Sequence, residues 1–215
     1  MPNKKPAAGH IRIIAGQWRR HQLAVLTHDG LRPSSDRVRE TVFNWLNHLW
    51  GGQFADKKVI DAFAGTGAFG LECVSRGARA VTLIDAHVPA ITAINQTLTH
   101  WRQQDASVAQ VQTITGDALH QLTQLTQSAQ AGQTFDLVFL DPPFDAVGVA
   151  DAALSAASLV VTDAGFVYLE SPKAMTPEDA EVFGLQVHRA GKAGMVHYHL
   201  LQRLQSNNPT EAVLG

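Results

Sequence analysis

The amino-acid sequence predicts an α/β fold built on a doubly wound, mostly parallel sheet, with a basic extension before it. From Lys58 onward, short apolar runs alternate with segments of helical spacing, and this alternation is typical of parallel βαβ units with right-handed crossovers. A glycine-rich turn joins the first apolar run to the first helix, as in many ligand-binding sheets of this class. Only residues 191–194 separate the last two runs, so these two strands should form an antiparallel hairpin.

Seven apolar runs are predicted as strands and four segments as helices, from their spacing and their flanking turn residues. The strands are expected at residues 59–63, 80–85, 108–115, 136–141, 165–170, 185–188 and 196–202. The helices are expected near residues 68–75, 88–103, 119–127 and 149–159.

Residues 10–57 predict a basic module of a hairpin and a helix. The hairpin joins residues 11–15 to 21–25, and Ser34 or Ser35 can cap a helix whose apolar side chains fall on one face: Val38, Val42, Phe43, Leu46 and Leu49. The main domain is then expected at 58–205, between disordered tails at 1–9 and 206–215.

Composition excludes several classes of protein. Cys73 is the single cysteine, which rules out a disulfide framework and a cysteine-only metal cluster. No apolar run approaches the roughly 20 residues of a membrane helix, and the N-terminus lacks the apolar stretch of a signal peptide. We therefore expect a soluble, cytoplasmic protein with no membrane contact. A monomer is the expected form, although no feature of the sequence determines the oligomeric state.

The charge is distributed unevenly along the chain. Residues 1–58 contain ten basic and four acidic residues, whereas residues 59–215 contain seven basic and fifteen acidic ones. A basic arm in front of an acidic core indicates either a polyanionic partner such as nucleic acid or merely a solvated face.

The strongest motif lies where the first predicted strand becomes a helix. The segment DAFAGTGAFG, from Asp61 to Gly70, contains G-x-G-x-x-G, and Asp85 ends the next strand twenty residues after Gly65. This pattern is the fingerprint of a site that binds a nucleoside cofactor, in which the acid binds the ribose hydroxyls. A glycine turn without a ligand is the alternative. The cofactor-binding residues predicted here are Asp61, Phe63, Gly65, Thr66, Gly67, Gly70 and Asp85.

Asp61 favours a cationic cofactor over a dinucleotide. A carboxylate at this turn repels a pyrophosphate a few ångströms away by about 1–4 kcal/mol. S-adenosylmethionine instead carries an ammonium and a sulfonium group, which Asp61 attracts. Asp117 and Ala118, after the third strand, add an acceptor for the adenine amine and a backbone amide for its ring. Asp117 can also cap the following helix, and the two roles are compatible.

The fourth strand ends in Asp141-Pro142-Pro143-Phe144, which we predict as the catalytic segment. The prolines end the strand and fix the backbone. Asp141 and the Pro142 carbonyl can accept the two hydrogens of a planar exocyclic amine, while Phe144 offers a face for stacking on the base. A strand terminator followed by a buried phenylalanine is the alternative.

The remaining candidate ligands do not predict a metal site. His197 and His199 share one face of a strand and His188 lies on its neighbour, but no acid or thiol completes a set, so no metal is expected. Cys73 is interpreted as a core residue.

Together these motifs resemble class I S-adenosylmethionine-dependent methyltransferases, and specifically the ribosomal RNA small subunit methyltransferase D family. The resemblance spans residues 11–203 and is carried by RIIAG-x-WR from Arg12, LRP-x-x-DRVRETVFNW from Leu31, DAFAGTGAFGLE from Asp61 and DPPF from Asp141. His87 stands where the family usually has a second acid after Asp85.

This resemblance implies a Rossmann-like sheet of seven strands with a reversed last strand. It also implies methyl transfer to the N2 atom of a guanine of the 966 type in 16S rRNA, within a small-subunit assembly intermediate. The basic module would then bind RNA through Arg12, Trp18, Arg19, Arg20, Arg32, Arg37 and Arg39; packing of Trp18 under the hairpin is the alternative. Two alternatives stay open: a DNA adenine-N6 methyltransferase, and a catalytically silent RNA-binding assembly factor.

Overall fold

The computed structural model describes residues 11–25, 35–130, 132–144, 146 and 148–204. The predicted tails at 1–9 and 206–215, and Arg32, lie outside the described residues.

The N-terminal module forms a small hairpin followed by a helix. Strands β1 (Ile11–Arg12) and β2 (Gln22–Leu23) pair antiparallel, and helix α1 spans Asp36–Leu49. The Ser35 hydroxyl accepts the Val38 N–H, which satisfies one of the free donors at the helix start. Both strands are shorter than predicted. Backbone bonds still join Ile13 to His21 and Arg20, and after Ile13 the N–H groups of Ile14 and Ala15 donate to the Glu72 carboxylate.

The central sheet confirms the predicted fold class, including the reversed last strand. Its order is β5-β4-β3-β6-β7-β9-β8. Every neighbouring pair is parallel except the two that involve the last strand in sequence, β9. The strands are β3 (Lys58–Asp61), β4 (Ala80–Asp85), β5 (Gln110–Thr115), β6 (Phe135–Leu140), β7 (Val161–Ser171), β8 (Leu185–Ala193) and β9 (Val196–Arg203).

Five further helices connect these strands, and they cover both faces of the sheet. They are α2 (Ala68–Ser75), α3 (Val88–Gln104), α4 (Ala118–Gln130), α5 (Val149–Val160) and α6 (Pro177–Glu181). One buried cluster joins the sheet to α1, α2, α3 and the hairpin, and a second joins its other face to α4, α5 and α6. The hairpin module and the sheet therefore share one core, since the first cluster includes residues from both sides of residue 57.

Two strands are longer than predicted and one helix was not predicted. β7 begins at Val161, which pairs with Phe135 of β6; the register between the two strands then shifts between Phe135 and Leu137. β8 continues to Ala193 past a second irregularity. α6 has five residues, and the Thr176 and Asp179 side chains cap it reciprocally. No helix within the described ranges is long and apolar enough to span a bilayer.

Candidate active site at the carboxyl edge of the sheet

Four carboxylates lie at the carboxyl ends of four adjacent strands, on the same face of the sheet. Asp61 is in register with Leu83 on one side and with Phe139 on the other, and Phe139 is in register with Tyr168. Side chains alternate between the two faces of a strand. The residues two positions after these partners therefore belong to the face of Asp61; they are Asp85, Asp141 and Glu170.

The glycine-rich turn is shaped by the absence of side chains at two positions. Gly67 caps α2 with φ 76°, in the left-handed region that favours glycine. A Cβ atom on Gly70 would lie 2.7 Å from a Leu83 methyl carbon and 3.2 Å from the Asp61 Cβ atom. Only glycine lets α2 start this close to β3 and β4.

Asp61 is buried at the end of β3, with 3% of its surface exposed. Its Oδ2 atom accepts the Gly70 N–H at 2.9 Å. The pKa of Asp61 is raised to about 7, mainly by burial; the Gly70 hydrogen bond opposes this increase, and the neighbouring Asp85 carboxylate adds to it. A cationic ligand here would favour the ionised carboxylate and offset the free-energy cost of burying its charge.

Asp85 binds the backbone of the cofactor turn and of the segment that follows β4. Its Oδ2 atom accepts the Gly65 N–H at 2.7 Å, and its Oδ1 atom accepts the His87 N–H at the same distance. Because each carboxylate oxygen has a second lone pair, these bonds are compatible with the predicted acceptance of ribose hydroxyls. Among the other turn residues, Phe63 and Thr66 are half-buried.

Asp117 caps α4, as one of its two predicted roles requires. Its Oδ1 atom accepts the His120 N–H at 2.7 Å, while the residue is exposed and Ala118 is buried.

The Asp141-Pro142-Pro143-Phe144 segment leaves β6 at the edge where the other carboxylates lie. Asp141 is half-buried, Pro142 is buried and Pro143 is exposed. The Phe144 side chain is 48% exposed, so the alternative of a buried phenylalanine is wrong. An exposed ring beside a strand-end carboxylate is what stacking on a base requires.

An aromatic cluster supports this edge from beneath. Phe69 of α2 contacts Phe139 and Tyr168, with ring centroids 4.7 and 4.9 Å apart, and Phe43 of α1 lies 6.1 Å from Phe139. The Tyr168 hydroxyl donates to the Glu170 Oε1 atom at 2.8 Å.

Two residues of the predicted RNA-binding set are corrected by the structure. Arg39 is completely buried, and its guanidinium donates to the Arg12 carbonyl and to the Asp36 carboxylate. Trp18 is 9% exposed and stacks on Trp101, with centroids 5.0 Å apart. Both side chains are committed to internal packing, so neither is available to a phosphate or a base.

The other described arginines of that set are exposed. Arg19 and Arg20 lie at the hairpin turn, where Arg20 has φ 72°, and Arg37 lies in the first turn of α1. Arg12 is 59% exposed and pairs with Asp36 at 3.2 Å. The basic module therefore presents cationic side chains to solvent.

The hairpin is fixed to α2 by polar contacts that the sequence did not predict. Glu72 is fully buried and accepts the N–H groups of Ile14 and Ala15 at 2.7 and 3.0 Å. Ser75 accepts the Trp18 N–H and donates to the Ala15 carbonyl. We call these contacts the α2 clasp.

The three histidines of the last two strands, His188, His197 and His199, have structural contacts. His199 is buried and its Nε2 atom accepts the Met175 N–H at 3.1 Å, with His197 stacked 6.4 Å away. The His188 ring packs on Phe166. No group of three potential metal ligands occurs among the described residues. Cys73 is fully buried in the first cluster, as predicted.

Sequence reasoning missed Glu72, Tyr168 and Glu170. Glu170 was the last residue of a predicted strand, and an acid at a strand end is the same signal that identified Asp61, Asp85 and Asp141. Glu72 carries no such signal, because its partners are backbone groups more than fifty residues away.

Comparisons with known proteins agree with this architecture. The model of the family described as Conserved hypothetical protein 95 matches residues 11–202. The chain is 35% identical to Ribosomal RNA small subunit methyltransferase D of Escherichia coli K12, over 93% of this chain and 95% of the relative. It is also 35% identical to the protein of the same name from Haemophilus influenzae, over 94% of this chain and 96% of the relative.

Solved structures show the same fold. The Escherichia coli protein yhhF, described as a methyltransferase, superposes with a TM-score of 0.69 and 30% identity, covering 92% of this chain and 100% of that one. A T. thermophilus 16S rRNA N2 G1207 methyltransferase, RsmC, solved with AdoMet and guanosine, has a TM-score of 0.66 at 19% identity, covering 92% of this chain and 50% of that one. By family model and by identity over nearly its whole length, the chain belongs to the ribosomal RNA small subunit methyltransferase D family.

Proposed function

We propose that this protein transfers a methyl group from S-adenosylmethionine to the exocyclic N2 atom of a guanine in 16S rRNA. The observation that carries the proposal is the placement of Asp61 and Asp85 on the same sheet edge as the Asp141-Pro142-Pro143-Phe144 segment. The names of the curated relatives, ribosomal RNA small subunit methyltransferase D, support the same reaction class and substrate.

The residues present fit S-adenosylmethionine. Asp61 is a buried carboxylate with a raised pKa, and such a group is stabilised in its ionised form by an ammonium or a sulfonium. Asp85 would hold the ribose hydroxyls, and the turn of Phe63, Gly65, Thr66, Gly67 and Gly70 would contact the methionine portion. Asp117 and the Ala118 amide would serve the adenine. When bound, the cofactor supplies an electrophilic methyl group on its sulfonium sulfur.

The catalytic segment would hold the nucleophile. An exocyclic amine is a weak nucleophile because its lone pair is delocalised into the base. The Asp141 carboxylate and the Pro142 carbonyl would accept its two hydrogens and favour a pyramidal nitrogen, while Pro143 keeps the segment rigid. Phe144 would stack on the base. Orienting the reactants in this way lowers a barrier by up to several kcal/mol.

The substrate would be reached through the basic module. Arg12, Arg19, Arg20, Arg32 and Arg37 would bind RNA phosphates, whose charge dominates affinity. The target guanine would leave its stack to reach Asp141, at a cost of a few kcal/mol that is smaller in a loop. We propose a small-subunit assembly intermediate as the substrate particle and a cytoplasmic monomer as the active form.

The decisive experiment measures transfer of labelled methyl groups into small-subunit particles that lack the modification. The wild-type protein should label N2 of one guanine in 16S rRNA. Asp141→Ala should reduce turnover by about a thousandfold or more, because amine orientation is lost, and leave S-adenosylmethionine affinity within about threefold in calorimetry. Asp151→Ala, at an exposed acid of α5, is the matched control and should keep full activity.

Three results would contradict the proposal. Label in DNA adenine alone would favour the DNA methyltransferase. Cofactor binding without transfer to any nucleic acid would favour the silent assembly factor. Unchanged turnover by the Asp141→Ala variant would remove the catalytic role of that carboxylate.

A further inference from the structure

Glu170 lies beside the catalytic segment. Leu140 of β6 is in register with Leu169 of β7, so the next residues along the two chains, Asp141 just past the end of β6 and Glu170 near the end of β7, lie side by side. Neighbouring strands are about 4.8 Å apart. A base whose amine is held by Asp141 would therefore have the Glu170 carboxylate along its edge.

The surroundings of Glu170 hold its carboxylate in one orientation and keep it out of bulk water. Only 5% of the residue is exposed, and the Tyr168 hydroxyl donates to its Oε1 atom at 2.8 Å. Burial and the Glu170 charge raise the pKa of the Tyr168 hydroxyl, so this hydroxyl stays a donor. A buried carboxylate with a donor already bound to one oxygen is oriented before the substrate arrives.

An aromatic residue lies next to Glu170 on the other neighbouring strand. Tyr198 of β9 is in register with Glu170, and its ring stacks on Trp45 of α1 at 5.6 Å. A Cβ atom on Gly191 would lie 2.3 Å from the Tyr198 ring, so glycine there is what leaves room for it. Tyr198 thereby links the N-terminal helix to the strand that carries Glu170.

The chemistry of the bases explains what such a carboxylate can distinguish. On guanine, the N2 amine is followed along the same edge by N1–H, which is a donor. On adenine, the amine is followed by an unprotonated N1, which is an acceptor. An ionised carboxylate is acceptor-only, so it binds the first edge and is left facing an acceptor at the second. Flipped bases are read by hydrogen bonds to this edge.

We propose that Glu170 determines guanine specificity by accepting the N1–H of the target base while Asp141 and Pro142 hold its amine. This inference rests on the proposed guanine-N2 methyl transfer and assigns the base-reading role to a residue outside the DPPF motif. Tyr168 acts on the base only through Glu170 and is a positioning residue.

The test compares guanine with 2-aminopurine at the target position of the same RNA, in reconstituted particles. 2-Aminopurine keeps the amine but has an acceptor at N1. The wild type should prefer guanine by about 100-fold in kcat/KM, since the carboxylate would face the N1 lone pair of 2-aminopurine instead of an N–H donor. Glu170→Gln presents an amide donor instead, so this preference should fall by at least about tenfold. The amide oxygen still accepts the Tyr168 hydroxyl, which preserves the local packing.

The exposed Glu178→Gln variant is the matched control and should keep the wild-type preference. An unchanged preference in Glu170→Gln, with guanine still methylated, would overturn the role of Glu170 and leave the proposed function standing. No transfer to guanine RNA by the wild type would overturn both.

If the Glu170→Gln variant does not fold, the wild type alone still tests whether the site reads the N1 position. A preference of about 100-fold or more for guanine supports the reading of N1–H. Methylation of 2-aminopurine within about threefold of guanine overturns it, because no group would then sense the N1 position.

Discussion

Asp61 shows how one residue couples the fold to the charge of its ligand. Its pKa is raised from 3.8 to about 7, mainly by burial. Between these values the folded protein binds more protons than the unfolded chain, so the free energy of unfolding decreases as the pH rises from about 4 to about 7. A cationic ligand reverses this cost because it favours the ionised carboxylate. The residue therefore stabilises the complex more than the free protein.

Cofactor affinity should consequently depend on pH through Asp61. Below about pH 7, tight binding of S-adenosylmethionine requires that Asp61 lose its proton. The Kd of the cofactor should therefore rise by up to about tenfold for each unit that the pH falls. Isothermal titration calorimetry between about pH 5.5 and 7.5 checks this slope. Asp61→Asn should bind weakly and with little pH dependence, whereas Asp151→Asn should retain the slope. An equal slope in Asp61→Asn would assign the titration to another group.

Single residues also mark where sequence reasoning succeeds. Asp61 and Asp85 were predicted as site residues from the glycine-rich fingerprint, and Asp141 from the Asp141–Phe144 segment; the structure brings all three to one edge. Arg39 and Trp18 were assigned to RNA because sequence alone does not show which way a side chain points. Arg39 is held by Asp36, three residues before it, and Trp18 packs on Trp101, which is more than eighty residues away.

At the scale of elements, α2 is shared by two parts of the molecule. Gly67 of the cofactor turn caps it and Gly70 lies in its first turn, while its second half carries Glu72 and Ser75 of the α2 clasp. The bounds of α2 were predicted correctly from apolar spacing. The clasp was not predictable, because its contacts join segments that are far apart in the sequence.

The fit of the hairpin against α2 predicts a large cost for Gly16→Ala. Gly16 has φ 82°, and a Cβ atom there would lie 2.0 Å from the Ser75 carbonyl oxygen. Gly77→Ala is the matched control, since Gly77 has φ 86° with nothing within 4 Å of the new atom. We expect Gly77→Ala to lower the free energy of unfolding by about 1 kcal/mol and Gly16→Ala by about 3 kcal/mol or more. Urea unfolding measures both. Equal losses would mean that the hairpin moves away from Ser75 without a further decrease in the free energy of unfolding.

At the scale of the whole molecule, positive and negative charge are separated. Exposed arginines lie on the hairpin and at the start of α1, while carboxylates end four strands of the sheet. The charge difference between residues 1–58 and the rest of the chain predicted this separation. The common hydrophobic core of the two parts was not predictable, because a change of composition at residue 58 looks the same whether or not the parts pack together.

RNA binding should therefore depend strongly on salt through the hairpin. Replacing both Arg19 and Arg20 by Gln should weaken affinity and reduce the slope of log K against log salt by about 1.4–1.8, as expected for two lost phosphate contacts. Arg189→Gln is the control, because Arg189 is exposed on the edge strand β8, at the end of the sheet order opposite to β4 and β5. Filter binding to the 16S target region over a range of salt concentrations checks this. An equal loss of slope in Arg189→Gln would indicate diffuse attraction instead of a hairpin contact.

The α2 clasp sets a limit on modular engineering of this enzyme. The hairpin donates its backbone hydrogens to a helix that belongs to the first crossover of the sheet. A graft of residues 10–57 onto a different methyltransferase core would leave these amides without acceptors unless the recipient also supplied equivalents of Glu72 and Ser75. The smallest transferable unit therefore runs from the hairpin through the end of α2, and it takes the cofactor turn along with it.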